Sequence, residues 1–201
     1  MMTKNISILC LLSILLTGCK DDINSNNLNA PHSNEIFPMA IGNKWAWNYS
    51  AYDSSGKSLS RWNTMMEIHK DTIVNGIRWF ISGERVLFAN LDTGFCLLDP
   101  SGIKLILKYP AKVNDSFRYL NDEYLYIVSI DTMISTALGN YHCYAYEARI
   151  PPDENRIGGS RSILFVSPGI GEVKSVVFTS TATNAKQYIS LIAELVGVSI
   201  K

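Results

Sequence analysis

Hydrophobic and polar residues alternate with a period of two along most of the chain after Asn43. In the first alternating run Trp45, Trp47 and Tyr49 share one face, and in the next run, 59–70, apolar residues again recur at every second position. Such alternation is typical of β-strands that bury one face. Further short runs of the same character lie at 77–82, 86–90, 95–98, 103–109, 116–120, 124–134, 141–150, 162–166, 172–179 and from 186 onward.

Tight-turn sequences such as Val74-Asn75-Gly76 and Asp92-Thr93-Gly94 separate these runs, and they favour hairpin connections. The last segment, from Lys186, fits both a helical stripe and a strand face, but its Val and Ile content and the lack of a helix cap favour a strand. A long antiparallel sheet has to curve to cover its apolar face and protect its edges. We therefore predict an all-β domain, a single strongly curved antiparallel meander of about ten strands, forming a half-barrel or open barrel with little helix.

The first residues have a different character. Lys4 precedes an apolar run, 6–16, that is too short to cross a bilayer, which takes about 20 residues. Leu16-Thr17-Gly18-Cys19 follows directly and resembles the lipobox of bacterial lipoproteins. We expect residues 1–18 to be a lipoprotein signal peptide and the Cys19 thiol to carry a diacylglyceryl group that anchors the protein in the lipid bilayer.

The residues after Cys19 predict where the anchored protein is displayed. Lys20, Asp21 and Asp22 resemble the lysine-then-acidic tag of surface lipoproteins of some Gram-negative bacteria, which implies the lipoprotein export machinery as a partner. An asparagine-rich stretch follows and is too polar to bury anything. We predict a lipidated flexible tether at 19–36 and a single β domain at 37–201, at the cell surface of the outer membrane. A position facing the periplasm is the alternative.

The charge balance excludes one class of partner. Eighteen Lys and Arg residues face eighteen Asp and Glu residues. This balance provides no basic patch, so we expect no nucleic-acid binding.

Three segments together resemble a pattern found in uncharacterised bacterial outer-membrane and surface lipoproteins. They are Phe37-Pro38-Met39-Ala40-Ile41-Gly42-Asn43-Lys44-Trp45, Ala137-Leu138-Gly139-Asn140-Tyr141-His142-Cys143-Tyr144 and Val166-Ser167-Pro168-Gly169-Ile170-Gly171-Glu172-Val173-Lys174. The resemblance implies a curved antiparallel β domain of the LolA/LolB type, which cups lipid acyl chains. This chain shows no helical pattern for the lid that lipid carriers use.

Several short motifs are compatible with catalysis or ligand binding, but each fits a structural role better. Asp92-Thr93-Gly94 matches the aspartic-protease triplet, yet it occurs once and also fits a hairpin turn. Gly169-Ile170-Gly171 lacks the third glycine and the helix of a phosphate loop. His32, His69 and His142 have no metal-ligand spacing, although Glu67 and His69 share a strand face. We predict no catalytic, cofactor-binding or metal-binding residues, no cofactor, and no enzymatic activity.

Two kinds of covalent modification remain open in the predicted domain. Cys96 and Cys143 permit a disulfide in an oxidising compartment, and both also fit as small buried hydrophobes. Asp71-Thr72-Ile73 and Asp131-Thr132-Met133 resemble an O-glycosylation sequon of exported bacterial proteins, with Thr72 and Thr132 as the acceptors, or they are strand-end residues.

Together these observations predict a membrane-anchored surface lipoprotein that acts as a non-enzymatic binding or interaction module. The alternative is a periplasm-facing lipoprotein that binds lipid or another apolar ligand. The four tryptophans fit either a core or a sugar-stacking surface, and the core is favoured. The polar loop 151–155 is the candidate for a partner contact.

Overall fold

A computed structural model describes residues 35–83, 86–119, 123–150, 160–180 and 186–201. The predicted signal peptide, Cys19, the tag Lys20-Asp21-Asp22, His32 and all but the last two residues of the predicted tether lie outside the described residues. The polar loop 151–155 also lies outside them.

The described residues form β-strands joined by turns and loops, which confirms the all-β prediction. The sheet has twelve strands rather than about ten, and the ambiguous last segment is a strand. In chain order the strands are β1 (Lys44–Tyr52), β2 (Ser58–Val74), β3 (Ile77–Ser82), β4 (Val86–Leu91), β5 (Gly94–Asp99), β6 (Gly102–Lys108), β7 (Ser116–Arg118), β8 (Tyr124–Thr136), β9 (Gly139–Ile150), β10 (Ser160–Ser167), β11 (Gly171–Thr179) and β12 (Tyr188–Ser199). None of the described segments is a helix long and apolar enough to cross a membrane.

All twelve strands belong to one antiparallel sheet with the order β6-β5-β4-β3-β2-β1-β12-β11-β10-β9-β8-β7. The chain thus makes two six-stranded meanders, and the pairing of β1 with β12 joins them. The sheet curves until it is nearly closed into a barrel. Near the gap between the edge strands, the Tyr146 hydroxyl donates to the Lys108 carbonyl at 2.8 Å, and Lys108 Nζ lies 2.9 Å from the Asp115 carboxylate.

Two hairpin turns show why the alternating runs end where they do. Asn75 and Gly76 both have positive φ, 53° and 77°, as a two-residue turn with the twist of the flanking strands requires. At Gly94, where φ is +133°, an added Cβ would lie 2.0 Å from the Leu107 carbonyl oxygen. Asp92-Thr93-Gly94 is therefore a hairpin turn, and β6 packs against its glycine too closely for a side chain.

Aromatic and aliphatic side chains together fill the interior of the curved sheet. Trp45, Trp47 and Tyr49 are buried, as their shared strand face predicted. The segment before β1 contributes to the same core. Phe37 stacks on Phe95 at 5.0 Å between ring centroids and packs on Trp45 at the same distance. Ile36 is 0 % exposed, although the sequence placed it in the tether.

Hydrogen bonds fix the segment 35–43 at one end of the sheet. The Gly169 amide in the β10–β11 turn donates to the Glu35 carbonyl at 2.9 Å, and Asn90 Nδ2 donates to the Phe37 carbonyl at 2.7 Å. The Lys201 amide donates to Asn43 Oδ1 at 3.0 Å, so both chain ends of the domain meet here. We call this the proximal end of the sheet, formed by 35–43, 168–170 and 200–201.

Candidate functional site

The end of the sheet opposite the proximal end carries an open cleft. Strands β1, β9 and β11 end there and β10 and β12 begin there. We call it the distal rim. Since a strand rises about 3.3 Å per residue, the nine residues of β1 separate the two ends by about 30 Å.

The cleft in the distal rim has a volume of about 560 Å³. Ligand pockets typically measure roughly 300–1,000 Å³. Its walls combine two phenol rings and two isoleucines with hydroxyl, amide, carboxylate and ammonium groups. The lining residues are Tyr52, Asp53, Ser54, Ser55, Gly56, Lys186, Gln187, Tyr188, Ile189 and Ile192.

The β1–β2 turn makes one wall of this cleft and is held by a single carboxylate. Asp53 Oδ1 accepts hydrogen bonds from the Ser55 hydroxyl at 2.6 Å, the Ser55 amide at 2.9 Å and the Lys57 amide at 3.0 Å. The hydrogen bond from the Ser55 hydroxyl, followed by that from the Lys57 backbone, lowers the pKa of Asp53 below its usual value. These hydrogen bonds hold the backbone of the turn from within the turn itself.

A row of paired residues leads from the cleft across the outer face of the sheet. Ile189 on β12 pairs with Phe178 on β11, Phe178 with Arg161 on β10, and Arg161 with Arg149 on β9. Directly paired residues of antiparallel strands point to the same face. With strands about 4.8 Å apart, the row covers about 14 Å from Ile189 to Arg149.

The two arginines of this row rest on aromatic rings and share one carboxylate. The Arg149 guanidinium lies 5.6 Å from the Tyr126 ring centroid, and that of Arg161 lies 4.6 Å from the Phe178 centroid. The buried Glu147 carboxylate lies 2.6 Å from Arg149 Nε and 3.9 Å from Arg161 Nε. The hydrogen bond with Glu147, and then the charge of Glu147, raises the pKa of Arg149 above its usual value.

A buried glutamate lines a second, much smaller cavity inside the sheet. The cavity measures about 20 Å³ and is bounded by Glu172, Tyr119 and apolar core residues such as Phe37. This volume suffices for about one water molecule. Burial raises the pKa of Glu172 to about 7, against a smaller opposing effect of a hydrogen bond with Ser175. Burial, and then the charge of Glu172, raises the pKa of Tyr119.

A β-bulge explains how this glutamate enters the core. Phe165 pairs with Lys174 but the next residue, Val166, pairs with Glu172, so Val173 is an extra residue on β11. Strict alternation from the half-exposed Lys174 would turn Glu172 outward, whereas Glu172 and Val173 are both buried. A bulge re-aims side chains in this way. The Glu172 carbonyl also accepts a hydrogen bond from Trp47 Nε1 at 3.0 Å.

The sequence left two roles open for the cysteines of the domain, a disulfide or burial as small hydrophobes. Cys96 and Cys143 are both buried free thiols. Cys96 packs with Trp79 and Ala89 in a small cluster, whereas Cys143 belongs to the main core, so the two thiols lie in different hydrophobic clusters. Burial raises the pKa of Cys96 and raises that of Cys143 to about 12.

The two candidate glycosylation threonines lie within strands and are partly exposed. Thr72 is near the end of β2, where the neighbouring Asp71 carboxylate forms an ion pair with Arg78. Thr132 is on β8, where Asp131 contacts His142 at 2.5 Å. Their modification stays a prediction.

The remaining candidate motifs do not come together in one site. The Gly169-Ile170-Gly171 sequence forms the turn into β11, as its turn interpretation predicted. Glu67 and His69 share a strand face, with His69 Nδ1 3.9 Å from the Glu67 carboxylate. Within the described ranges, no three His, Cys, Asp or Glu side chains are grouped to hold a metal.

The tryptophans divide between the core and one rim position. Trp45, Trp47 and Trp79 are buried, and Trp62 is 42 % exposed and stacks on Tyr49 at 5.3 Å. Sequence reasoning missed the arginine row and the buried Glu172. Arg149 stands near the end of β9 and Arg161 near the start of β10. Their nearly equal distances from the connecting loop could have indicated that the two arginines face each other across a hairpin.

Comparisons with known proteins show the fold alone. No family model matches the chain, and no curated protein matches it in sequence. A crystal structure of a presumed exported protein with a YmcC-like fold from Bacteroides fragilis is similar, with a TM-score of 0.56 at 11 % identity over 84 % of this chain and 100 % of that chain. A presumed lipoprotein from Parabacteroides distasonis gives a TM-score of 0.44 at 14 % identity over 83 % of this chain and 99 % of that chain. The chain thus shares the fold of the Bacteroides fragilis protein.

Proposed function

We propose that this protein is a lipid-anchored surface lipoprotein that binds a ligand, without catalysis, in the cleft of its distal rim. One observation carries the proposal. The described chain begins at the proximal end of the sheet, where the Glu35 carbonyl bonds to the β10–β11 turn, and the cleft opens about 30 Å away at the other end. An anchor that precedes Glu35 would leave the cleft on the side turned away from the membrane.

The predicted tether has enough length for this arrangement. The 15 residues from 20 to 34 separate Cys19 from the folded domain, which gives a root-mean-square reach of ~21 Å as a coil and ~50 Å when extended. The Lys20-Asp21-Asp22 tag supports the outer surface of the outer membrane as the location.

The chemistry of the cleft supports binding rather than catalysis. Its carboxylate, Asp53, is engaged by its own turn through three hydrogen bonds. The other lining groups are phenols, hydroxyls, an amide and an ammonium group, which suit recognition of a ligand with flat faces and many hydrogen-bonding groups.

The alternative, a LolA/LolB-like carrier that holds an acyl chain inside the sheet, has less support. Among the described residues the interior is a packed core of aromatic and aliphatic side chains, and the cavity beside Glu172 measures only about 20 Å³. A lipid-sized ligand needs a pocket of several hundred Å³.

Protease shaving of intact cells, followed by mass spectrometry of the peptide that starts at Cys19, tests the anchored display. We expect the domain to be released from intact cells and the Cys19 peptide to carry a diacylglyceryl group. The Cys19→Ala variant should lose both the lipid and the membrane fraction. A domain that resists shaving until the outer membrane is opened, or an unmodified Cys19, contradicts the proposal.

A further inference from the structure

The Arg149–Arg161 pair places two like charges in direct opposition on neighbouring strands. Like charges directly opposite each other destabilise a sheet. The structure offsets this cost with one carboxylate, Glu147, and with the rings of Tyr126 and Phe178 beneath the guanidinium groups. Among the described residues, these two guanidinium groups and one carboxylate sum to one net positive charge.

The shared carboxylate serves the two arginines unequally. Glu147 Oε1 is at hydrogen-bond distance from Arg149 Nε but 3.9 Å from Arg161 Nε. Within the part of the chain that the structure describes, the buried Arg161 Nε has no hydrogen-bond acceptor. A guanidinium group carries five N–H donors in a planar fork that matches an oxyanion. With respect to the described residues, the pair therefore has both charge and donors left for one monoanionic group.

The rings hold the guanidinium groups in position before a ligand arrives. A guanidinium group within about 6 Å of a ring centroid is attracted to the face of the ring, and both arginines lie within this distance. The side chains are also accessible, since that of Arg149 is 63 % exposed and that of Arg161 is 39 % exposed. The pair is thus a preorganised cationic site.

The row Arg149–Arg161–Phe178–Ile189 connects this site to the cleft over about 14 Å. A ligand that lies along the row would contact the phenol rings and polar groups of the cleft at one end and the arginines at the other. The two phenol rings of the cleft suit the apolar faces of sugar rings, and its hydroxyl, amide and ammonium groups suit their hydroxyl edges. A carboxylate on the sugar supplies the one negative charge that the arginine pair lacks.

We infer that the distal rim binds an acidic oligosaccharide, with a sugar carboxylate held between Arg149 and Arg161 and neighbouring sugar rings in the Tyr52–Tyr188 cleft. This inference rests on the proposed function, because it names the ligand class of the same rim.

Calorimetric titration of the purified protein with hexagalacturonate, maltohexaose and hexaglutamate tests it. We expect hexagalacturonate to bind with an affinity that falls as salt is added, and the neutral maltohexaose to bind at least about tenfold more weakly. Hexaglutamate should not match hexagalacturonate, since it lacks sugar rings. Equal binding of hexaglutamate would assign the rim to an acidic peptide and overturn the inference.

Arg149→Gln and Arg161→Gln should each weaken hexagalacturonate binding by about tenfold or more. Arg78→Gln is the matched control, because Arg78 also pairs with a carboxylate, Asp71, and lies 5.1 Å from the Phe80 ring, but outside the row. Glu147→Gln should tighten binding by raising the local charge, which damage to the fold would not do. Equal weakening by Arg78→Gln, or weaker binding by a folded Glu147→Gln variant, overturns the inference.

A cleft variant separates this inference from the proposed function. If Tyr188→Ala abolishes hexagalacturonate binding while Arg149→Gln and Arg161→Gln leave it unchanged, the cleft is a binding site and the arginine assignment is wrong. If no probe binds the wild-type protein, the ligand class is wrong, and shaving of intact cells still decides the anchored display on its own.

Discussion

Glu172→Gln should make the protein more stable at pH 8 and change little at pH 4. The wild-type carboxyl is buried beside Phe37 and Tyr119, and burial raises its pKa from 4.5 to about 7. Between these values the folded protein keeps a proton that the unfolded chain has lost. The folded state therefore binds more protons, and the free energy of unfolding falls as the pH rises through this window.

The size of the effect follows from the two pKa values. At 1.36 kcal/mol for each pH unit between them, raising the pKa from 4.5 to about 7 corresponds to about 3 kcal/mol. The wild-type protein has this contribution in full below about pH 4.5 and has lost it above about pH 7. A glutamine of the same shape stays neutral throughout, so the variant lacks this part of the pH dependence.

Urea unfolding at a series of pH values between 4 and 8 measures the difference, with tryptophan fluorescence as the signal. Trp47 suits this measurement, since its indole donates to the Glu172 carbonyl at 3.0 Å. Glu194→Gln is the control, because that carboxylate forms a partly exposed pair with Lys174 at 3.3 Å, and such pairs contribute about 0–1 kcal/mol. Parallel stability curves for wild type and Glu172→Gln across this range would refute the reasoning.

Three further predictions concern the core and its turns. Phe37→Ala should lower the free energy of unfolding by about 3–5 kcal/mol, because the ring packs on Trp45 and Phe95. Chemical denaturation measures this loss, and a loss below about 1 kcal/mol would show that the segment before β1 is not part of the core. Gly94→Ala should lower the melting temperature of the protein far more than Gly56→Ala. Both glycines have positive φ, but only at Gly94 would an added Cβ meet backbone, 2.0 Å from the Leu107 oxygen. Equal melting temperatures of the two variants would contradict this. The thiols of Cys96 and Cys143 should react with Ellman's reagent only after unfolding, because both are buried and burial raises the pKa of each. Rapid reaction of the native protein would show that the two thiols are not buried.

The strands could be predicted because most of them bury one face, which makes period-two alternation visible in the sequence. Trp45, Trp47 and Tyr49 on β1 are the clearest case. The turns could also be predicted, since Asn75 and Gly76 supply the positive φ that a two-residue hairpin needs. The predicted runs include one at 116–120 for the three-residue strand β7, so the short strands were also visible, and only the summed count of about ten strands was too low.

Features that depend on register could not be predicted. Glu172 faces the core because a bulge inserts Val173 between two pairings, and nothing in the local pattern specifies that bulge. The arginine pair depends on the alignment of β9 with β10, which the whole sheet decides. Ile36 was assigned to the tether because its neighbours are polar, yet tertiary packing buries it completely.

Labelling of a cysteine on the distal rim of intact cells tests the central claim most directly. Ser55→Cys places a thiol on the exposed β1–β2 turn beside the cleft, and the native Cys96 and Cys143 are buried and should give no background. A membrane-impermeant maleimide should label this variant on intact cells as fully as after the outer membrane is permeabilised. Labelling that appears only after permeabilisation would contradict a lipoprotein that displays its cleft outward.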